Sequence, residues 1–458
     1  MLPIRTTITL LAALVVTLVV NSPAQAQSII RDTEIEETLR EWTDPILDVA
    51  GLRPADVDLY IINDPSLNAF VAGGQNIHLN TGLIIAADNP GQILGVIGHE
   101  TCHIACGHTV SRTRAAEVAS RPALVSIGLG ILALAAGAGD AGVALLASSQ
   151  QFAALNFFKH TRSEEAAADA AAVAYLAALG LSPAGLVEFF ENYRYQEVLS
   201  DTRRDPYFRA HPLASDRIRT ARQLAEDTGL MDVPPTPEML RQFDMMQAKL
   251  VGFLEPAALV RRNYPPDDTS LAARYARSIA AMQAGDLTAS IREIDALIAE
   301  EPENPFFHEL KGQTLYEAGK VDESIPPYER ANELKPGQPL LQIGLAQSLT
   351  QRGVDDDLAR AEELLKSSLL TEPRNAFAWR ELSITLHRMG RNGEADVAYA
   401  EASLNIGNYP DANIFAGRAL KKLEKGTPTF IQALDILNQT DPRLPENAPY
   451  YRRRGLSQ

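Results

Sequence analysis

The segment Gly98-His99-Glu100-Thr101-Cys102-His103 carries the pattern H-E-x-x-H within an apolar run. Residues four apart lie on one face of an α-helix, so His99 and His103 can bind one metal ion together. Glu100 would lie beside that ion, where it can act as general base on a water molecule. The alternative is a pair of histidines packed in a helix without metal. We favour one Zn²⁺ ion, because the residue types and their spacing suit a helical zinc site.

The flanking residues predict where this helix begins and ends. Asn89-Pro90 is typical of an N-cap followed by proline in the first turn, and the helix is expected to run to about Ser111. The two cysteines of the chain, Cys102 and Cys106, both lie on it. A disulfide between helical positions four apart would be strained, so none is expected, and Cys106 is interpreted as a structural thiol rather than a fourth ligand. His108 is expected to pack or cap rather than bind zinc.

Composition limits the classes of protein to consider. A chain of 458 residues is too long for one core and suggests two to three domains. The formal charge of −16 argues against a nucleic-acid partner, which requires a basic face. Residues 1–26 read as a secretory signal peptide, with Arg5, an apolar stretch over 8–20 and the cleavage site Ala24-Gln25-Ala26. Export without a disulfide framework indicates the periplasm; a retained signal anchor is the alternative.

The segment before the metal-binding pattern predicts a helix followed by a small sheet. Residues 28–50 have an apolar stripe at helical spacing. Short strands are expected at Val57–Ile62, Leu67–Ala72 and Ile77–Asn80, with a hairpin turn at residues 73–76. The hairpin is either plain scaffold or provides an exposed edge strand beside the metal cleft, where a peptide can pair.

A second apolar segment, residues 123–147, is rich in small side chains and interrupted by Asp140. Its first half spans only about 25 Å as a helix, which is too short for a bilayer. One interpretation is a buried helical hairpin over the metal-binding helix. The other is a mobile lid or a flap that makes peripheral contact with a membrane.

A third metal ligand is expected on the helix predicted at residues 162–179. Glu165 and Asp169 are four residues apart and share one face. A catalytic zinc ion takes three protein ligands and a water, and Glu165 can be the third. Asp169 would then orient a ligand histidine through its second ring nitrogen.

Together these motifs resemble the gluzincin zinc metallopeptidases of the CAAX prenyl protease and heat-shock membrane protease group. The resemblance extends over about residues 28–225 and includes His211-Pro212 and Arg217. It implies that His211 and Arg217 face the zinc and stabilise the tetrahedral intermediate of peptide hydrolysis. His211 can instead occupy the open position on the metal as a plug, or merely shape its loop.

The C-terminal half contains a helix-hairpin repeat. Gly285, Gly319, Gly353 and Gly390 recur at intervals of 34, 34 and 37 residues, and each is predicted to end a first helix. Prolines that close each second helix recur at similar intervals: Pro302, Pro336, Pro373 and Pro410. This period is typical of tetratricopeptide repeats, which stack into a superhelix with a protein-binding face.

The predicted fold is α+β and mostly α, a zincin-like domain with a small β-sheet followed by an α-solenoid. The predicted divisions are a signal peptide (1–26), a catalytic domain (27–232), a linker with a helix (233–268), tetratricopeptide repeats (269–440) and a tail (441–458). A secreted gluzincin domain with such repeats resembles the periplasmic β-barrel assembly-enhancing protease type. That resemblance implies protein or peptide substrates and an outer-membrane assembly machine as a partner.

The sequence is compatible with two functions. The first is an active zinc endopeptidase that acts on misfolded or stalled envelope proteins, with repeats that bind substrates or partners. The second is a chaperone or scaffold for envelope protein assembly whose metal site is latent and self-plugged. The intact set of predicted ligands and base favours the first.

Overall fold

The computed structural model describes residues 28–108, 162–200 and 202–452. The predicted signal peptide and the apolar segment 123–147 lie outside these ranges. Within them, no helix combines the length and the apolar character needed to cross a bilayer.

A four-stranded sheet forms one layer of the N-terminal half. Its strands are β1 (Ile29–Ile30), β2 (Leu59–Ile62), β3 (Ala69–Ala72) and β4 (Asn76–Asn80), in the spatial order β1-β2-β4-β3. β3 and β4 form the predicted hairpin, whose turn contains Gly73 and Gly74 with φ of 64° and 107°. β2 pairs with β4 in parallel, so β3 is left at one edge of the sheet.

The first helix is shorter than predicted. α1 covers Thr33–Val49, and the Asp32 carboxylate caps it by accepting from the backbone N–H of Ile35. The preceding residues Ile29 and Ile30 pair instead with Ile62 and Ile61 as strand β1. The predicted helical start at residue 28 was therefore wrong, because an N-cap and a sheet edge compete for these residues.

Helices pack on the sheet and on one another around the metal-binding motif. They are α2 (Thr81–Ala86), α3 (Pro90–Ala105), α4 (residues 162–178), α5 (Ala184–Asn192), α6 (Pro206–Ala210) and α7 (Ser215–Asp227). α3 carries the H-E-x-x-H pattern and approaches α4 closely at Gly98. A Cβ on Gly98 would lie 3.2 Å from the Cα and Cβ atoms of Ala172. This absence of a side chain brings the two helices that carry the predicted ligands together.

The C-terminal end of α3 corrects two predictions. Asn89 caps the helix as expected, but α3 ends at Ala105 rather than near Ser111, since Gly107 turns the chain with φ of 70°. Cys102 and Cys106 form a disulfide, contrary to prediction. Cys106 is the C-cap rather than an interior residue, and its Cα lies 5.2 Å from that of Cys102. This separation is within the roughly 4.4–6.8 Å usual for disulfides.

Helical hairpins make up the C-terminal half, as the repeat predicts. After α8 (Pro237–Leu254) and α9 (Ala257–Asn263), the paired helices are α10 (Leu271–Gln283) with α11 (Leu287–Glu300), α12 (Pro305–Glu317) with α13 (Val321–Leu334), α14 (Pro339–Arg352) with α15 (Asp355–Thr371), α16 (Ala376–Arg388) with α17 (Asn392–Asn405), and α18 (Tyr409–Ala419) with α19 (Pro428–Gln439); the short α20 (Ala448–Arg452) follows. Gly285, Gly319, Gly353 and Gly390 all adopt positive φ just after the first helices. The longer third repeat is explained by α15, which has 17 residues where the preceding second helices have 14.

Helix α8 belongs to two cores at once. Phe243, Met246 and Leu250 pack in the core of the N-terminal half, whereas Met245 and Val251 pack with the first repeat. The helix contributes to both cores because it carries apolar residues on two of its faces. The two halves therefore share a buried element and are not joined only by an exposed tether.

A buried ion pair fixes α1 against this junction. Lys249 of α8 is 4% exposed, and its Nζ lies 2.7 Å from Asp32 Oδ2 and 3.1 Å from Glu34 Oε2. The Tyr275 hydroxyl of α10 donates to Glu34 at 2.8 Å. Removing one partner of such a buried set leaves an uncompensated charge, so the set specifies how α1, α8 and α10 meet.

Candidate metal centre

Helix α3 directs three polar side chains into the interior. His99, Glu100 and His103 are 0%, 0% and 1% exposed. The Nε2 atoms of His99 and His103 lie 3.1 Å apart, as one turn of helix allows. One face of α3 therefore presents two imidazole nitrogens to a single point.

Helix α4 supplies the two carboxylates predicted for the site. Glu165 places Oε2 3.3 Å from His99 Nε2 and Oε1 3.5 Å from His103 Nε2. Asp169, one turn later, lies on the far side of the first histidine, with Oδ1 3.0 Å from His99 Nδ1. The structure thus brings Glu165 to the converging nitrogens and Asp169 behind one of them.

His211 reaches the same point from the end of α6. It is 2% exposed, and its Nδ1 lies 3.2 Å from His99 Nε2 and 2.9 Å from Glu165 Oε2. Its Nε2 is 3.4 Å from Glu100 Oε1. His99, Glu100, His103 and His211 form a group whose ligand atoms all lie within 4.8 Å of one another. His211 is therefore in contact with both the predicted ligands and the predicted base.

Arg217, from the first turn of α7, contacts carboxylates. Its Nε and Nη2 donate to Asp169 at 2.8 Å each, and its Nη1 donates to the carbonyl oxygen of Pro212 at 2.8 Å. The same Nη1 lies 3.3 Å from Glu165 Oε2. Because these bonds occupy the guanidinium, its visible role is to fix the two carboxylates and the loop after His211.

Charges in the site alter its proton affinities. Burial lowers the pKa of His99, but hydrogen bonds to Asp169 and Glu165 outweigh it and raise the pKa to about 9. Burial would raise the pKa of Glu165, yet the neighbouring His211 and His99 hold it well below its usual range. The pKa of Asp169 is likewise lowered, against the effect of burial, by Arg217. Both carboxylates are therefore ionised at neutral pH, as metal ligation and its support require.

The donor set fits a divalent metal ion. With a metal bound, His99 would be neutral; it would donate from Nδ1 to Asp169 and turn the lone pair of Nε2 toward Glu165 and the Nε2 of His103. A cation between the imidazole nitrogens and the carboxylate satisfies all of these groups, and a divalent metal ion can take the place of the proton that His99 otherwise carries. In the described part of the chain, neither carboxylate oxygen of the buried Glu100 has a hydrogen-bond partner. A buried carboxylate without a hydrogen-bond partner, next to these candidate metal ligands, suits a general base that accepts a proton from a water molecule.

Two residues near the site make contacts that the sequence did not predict. His108 lies with its Nδ1 3.0 Å from His103 Nδ1. Tyr207 is fully buried, stacks on His211 with ring centroids 4.7 Å apart, and has a hydroxyl without a partner among the described residues. Burial and the charge of Glu100 raise the pKa of Tyr207 well above its usual value. The spacing of four between Tyr207 and His211 on one short helix was the available signal.

Comparison with known proteins gives a consistent family. The profile of Peptidase family M48 matches residues 31–225, which include the whole cluster described above. The Beta-barrel assembly-enhancing protease of Escherichia coli (strain K12) is 26% identical over 398 residues, which cover 84% of this chain and 79% of that relative. The protein of the same name in Yersinia pestis is 24% identical over 362 residues, covering 77% of this chain and 72% of that relative. Metalloprotease YcaL of E. coli is 29% identical over 176 residues, 37% of this chain and 61% of its own length.

Proposed function

We propose that the chain is a zinc-dependent endopeptidase of the bacterial periplasm, with its catalytic domain in residues 31–225, which the profile of Peptidase family M48 matches. The family implies a metal ion at the His/Glu cluster, and zinc is the ion we assign to it. The observation that carries the proposal is the convergence of His99, His103 and Glu165 beside the buried carboxylate of Glu100, which has no hydrogen-bond partner among the described residues. These three residues would hold the metal.

A bound divalent metal would supply Lewis acidity, which lowers the pKa of water and polarises the peptide carbonyl. Glu100 takes the proton from the attacking water and passes it to the leaving amine nitrogen. Its burial keeps solvent away from that carboxylate. Asp169 accepts from His99 Nδ1–H and so fixes the tautomer that exposes Nε2, while Arg217 holds Asp169 in place.

His211 has two compatible roles in this proposal. Its Nε2 lies 3.4 Å from Glu100, so in the working enzyme it can donate a hydrogen bond to the oxyanion formed from the peptide carbonyl. Its Nδ1 lies 3.2 Å from His99 Nε2, so at rest it can also occupy a ligand position and plug the site. The contacts of Arg217 favour a positioning role for this residue rather than direct contact with the oxyanion.

The plugging position of His211 is also compatible with an alternative function. A chaperone or scaffold for envelope protein assembly with a latent metal site would also hold His211 among the ligands. The complete ligand set and the buried base favour the enzyme, since a scaffold has no need of Glu100. The alternative predicts full function after loss of Glu100.

Substrates and partners follow from the rest of the chain. Beta-strand β3 is at the edge of the sheet, and we propose that an extended substrate pairs with it before cleavage. The helical repeats would bind misfolded or stalled envelope proteins, or an outer-membrane assembly machine. Relatives named β-barrel assembly-enhancing proteases support this assignment. The predicted signal peptide supports the periplasm.

The first test replaces the base. Glu100→Gln keeps the size of the side chain and removes its basicity, so we expect metal content to stay at one zinc per chain. Cleavage of casein or of a misfolded β-barrel protein should fall by about 10²–10⁴-fold. The matched control is Glu188→Gln on α5, outside the cluster. A loss below tenfold in Glu100→Gln would reject the assignment of the base.

The second test concerns the third ligand. Glu165→Ala removes the carboxylate between the two histidines, so we expect a large loss of zinc from the purified protein together with loss of cleavage. Metal content is measured by elemental analysis. Full occupancy and activity in Glu165→Ala would mean that the third ligand lies elsewhere.

A further inference from the structure

Both histidines of α3 have a polar side chain next to Nδ1, the ring nitrogen that points away from the candidate metal. His99 Nδ1 faces Asp169 Oδ1 at 3.0 Å, and His103 Nδ1 faces His108 Nδ1 at 3.0 Å. When Nε2 of His103 binds a metal as a neutral imidazole, its proton is on Nδ1 and is donated to His108. His108 must then accept through Nδ1 and carry its own proton on Nε2. This makes it a positioning partner and not a ligand.

The backbone after α3 explains how a residue five positions later reaches His103. α3 ends at Ala105, and Gly107 adopts φ of 70°, so the chain reverses and brings His108 back onto the last turn. His108 is 8% exposed in this position. A regular helix continued to Ser111 would have carried its side chain away from the metal-facing side.

The Cys102–Cys106 disulfide closes the same turn. Cys102 directly precedes His103 and is fully buried, whereas Cys106 is exposed and precedes Gly107. The covalent bond therefore joins the residue next to the ligand with the residue that begins the reversal. It restricts the turn at Cys106 and Gly107, which brings His108 to His103.

We propose that His108 is the positioning residue for the metal ligand His103, and that the Cys102–Cys106 disulfide holds it there, so that reduction of the disulfide weakens metal binding. The inference rests on the proposed metal site. Reduction begins when a thiolate of an external dithiol attacks Cys106 Sγ; the S–S bond breaks, and the electron pair leaves on Cys102 Sγ, which takes a proton. The second thiol of the reductant then displaces Cys106, so the dithiol is oxidised to a disulfide and the protein gains two thiols.

Three substitutions at His108 separate hydrogen bonding from packing. Asparagine can place an amide oxygen near the position of Nδ1, phenylalanine keeps the ring without an acceptor, and alanine removes both. We expect zinc affinity, measured in the full-length protein by competition with a chromophoric chelator, to fall about 10–100-fold in His108→Phe and His108→Ala. His108→Asn should stay close to wild type, as should the control His387→Asn on the exposed face of α16. Wild-type affinity in His108→Phe together with a loss in His108→Asn would reduce His108 to a packing residue and overturn the proposal.

The disulfide is tested on the unchanged sequence and on a variant. A phosphine reductant yields the same two thiols while it takes an oxygen atom from water and becomes a phosphine oxide, and it binds zinc less than dithiothreitol does. It should weaken zinc binding by wild type in the same sense as His108→Ala. Cys102→Ala/Cys106→Ala should match reduced wild type and no longer respond to the phosphine, with folding checked by thermal unfolding. Unaltered affinity after reduction would overturn the redox part. A second equivalent of zinc in the reduced protein would also overturn it, because His108 would then bind metal with the freed thiols. If oxidised wild type binds no metal, the proposed function fails as well, whereas normal wild-type binding with unchanged variants rejects this inference alone.

Discussion

His211 contacts both halves of the metal centre through its two ring nitrogens, and this makes its replacement informative. In His211→Ala we expect kcat to fall by about 10²–10³-fold, the usual effect of losing an oxyanion donor. Zinc should remain bound by the other three residues. The measurement is steady-state cleavage of a peptide substrate, with His308→Ala in the repeats as control. Increased cleavage, including self-cleavage, would show that plugging is the dominant role, and unchanged kinetics would reject both roles.

At the scale of secondary-structure elements, the contact of α3 with α4 determines the spacing of the ligands. In Gly98→Ala the new methyl group would lie 3.2 Å from Ala172, so one helix must move by a few tenths of an ångström. We expect a loss of about 1–3 kcal/mol in the free energy of unfolding, as in other overpacked cores. Zinc affinity should fall too, because His99 and Glu165 lie on the two helices, α3 and α4, that this contact joins. The control is Gly417→Ala in α18, where the nearest atom is 3.8 Å away. Unchanged zinc affinity in the destabilised Gly98→Ala protein would contradict this coupling.

Elements with local signals were predictable from the sequence, and those set by tertiary contacts were not. The Asn89 cap, the Gly73-Gly74 turn and the glycine positions of the repeats each depend on a few neighbouring residues. Strand β1 exists only because β2 is beside it. The end of α3 differs from the prediction because Gly107 turns the chain at positive φ, and the disulfide and the His103–His108 contact follow from that end. In the site, the sequence links α4 and α6 to α3 only through the chemistry that a catalytic zinc requires. The residue spacing between these helices does not by itself predict that they meet.

At the scale of the whole molecule, helix α8 determines where the chain can be cut between the two proposed domains. A catalytic fragment of residues 27–232 would lose Phe243, Met246 and Leu250 from its core. Since burying each such side chain is worth about 1.5–3 kcal/mol, we expect a fragment of residues 27–254 to be clearly the more stable. Thermal unfolding and zinc content of the two purified fragments measure this. Equal melting temperatures would mean that α8 belongs only to the repeats.

Contacts of α1, and of Arg31 just before it, with the repeats also constrain the order in which the fold can be completed. Arg31 pairs with Glu372 at 2.7 Å, Glu37 with Lys335 at 2.8 Å, and Glu34 with Tyr275 at 2.8 Å. These partners are synthesised long after the helix they hold, and contacts between residues so far apart in sequence form late and slowly. The peptidase half is made first, yet its opening helix gains its last supports only when most of the repeats exist. A protease built in this order would acquire its full stability only late in its own folding, when little of the chain remains unfolded to be cleaved.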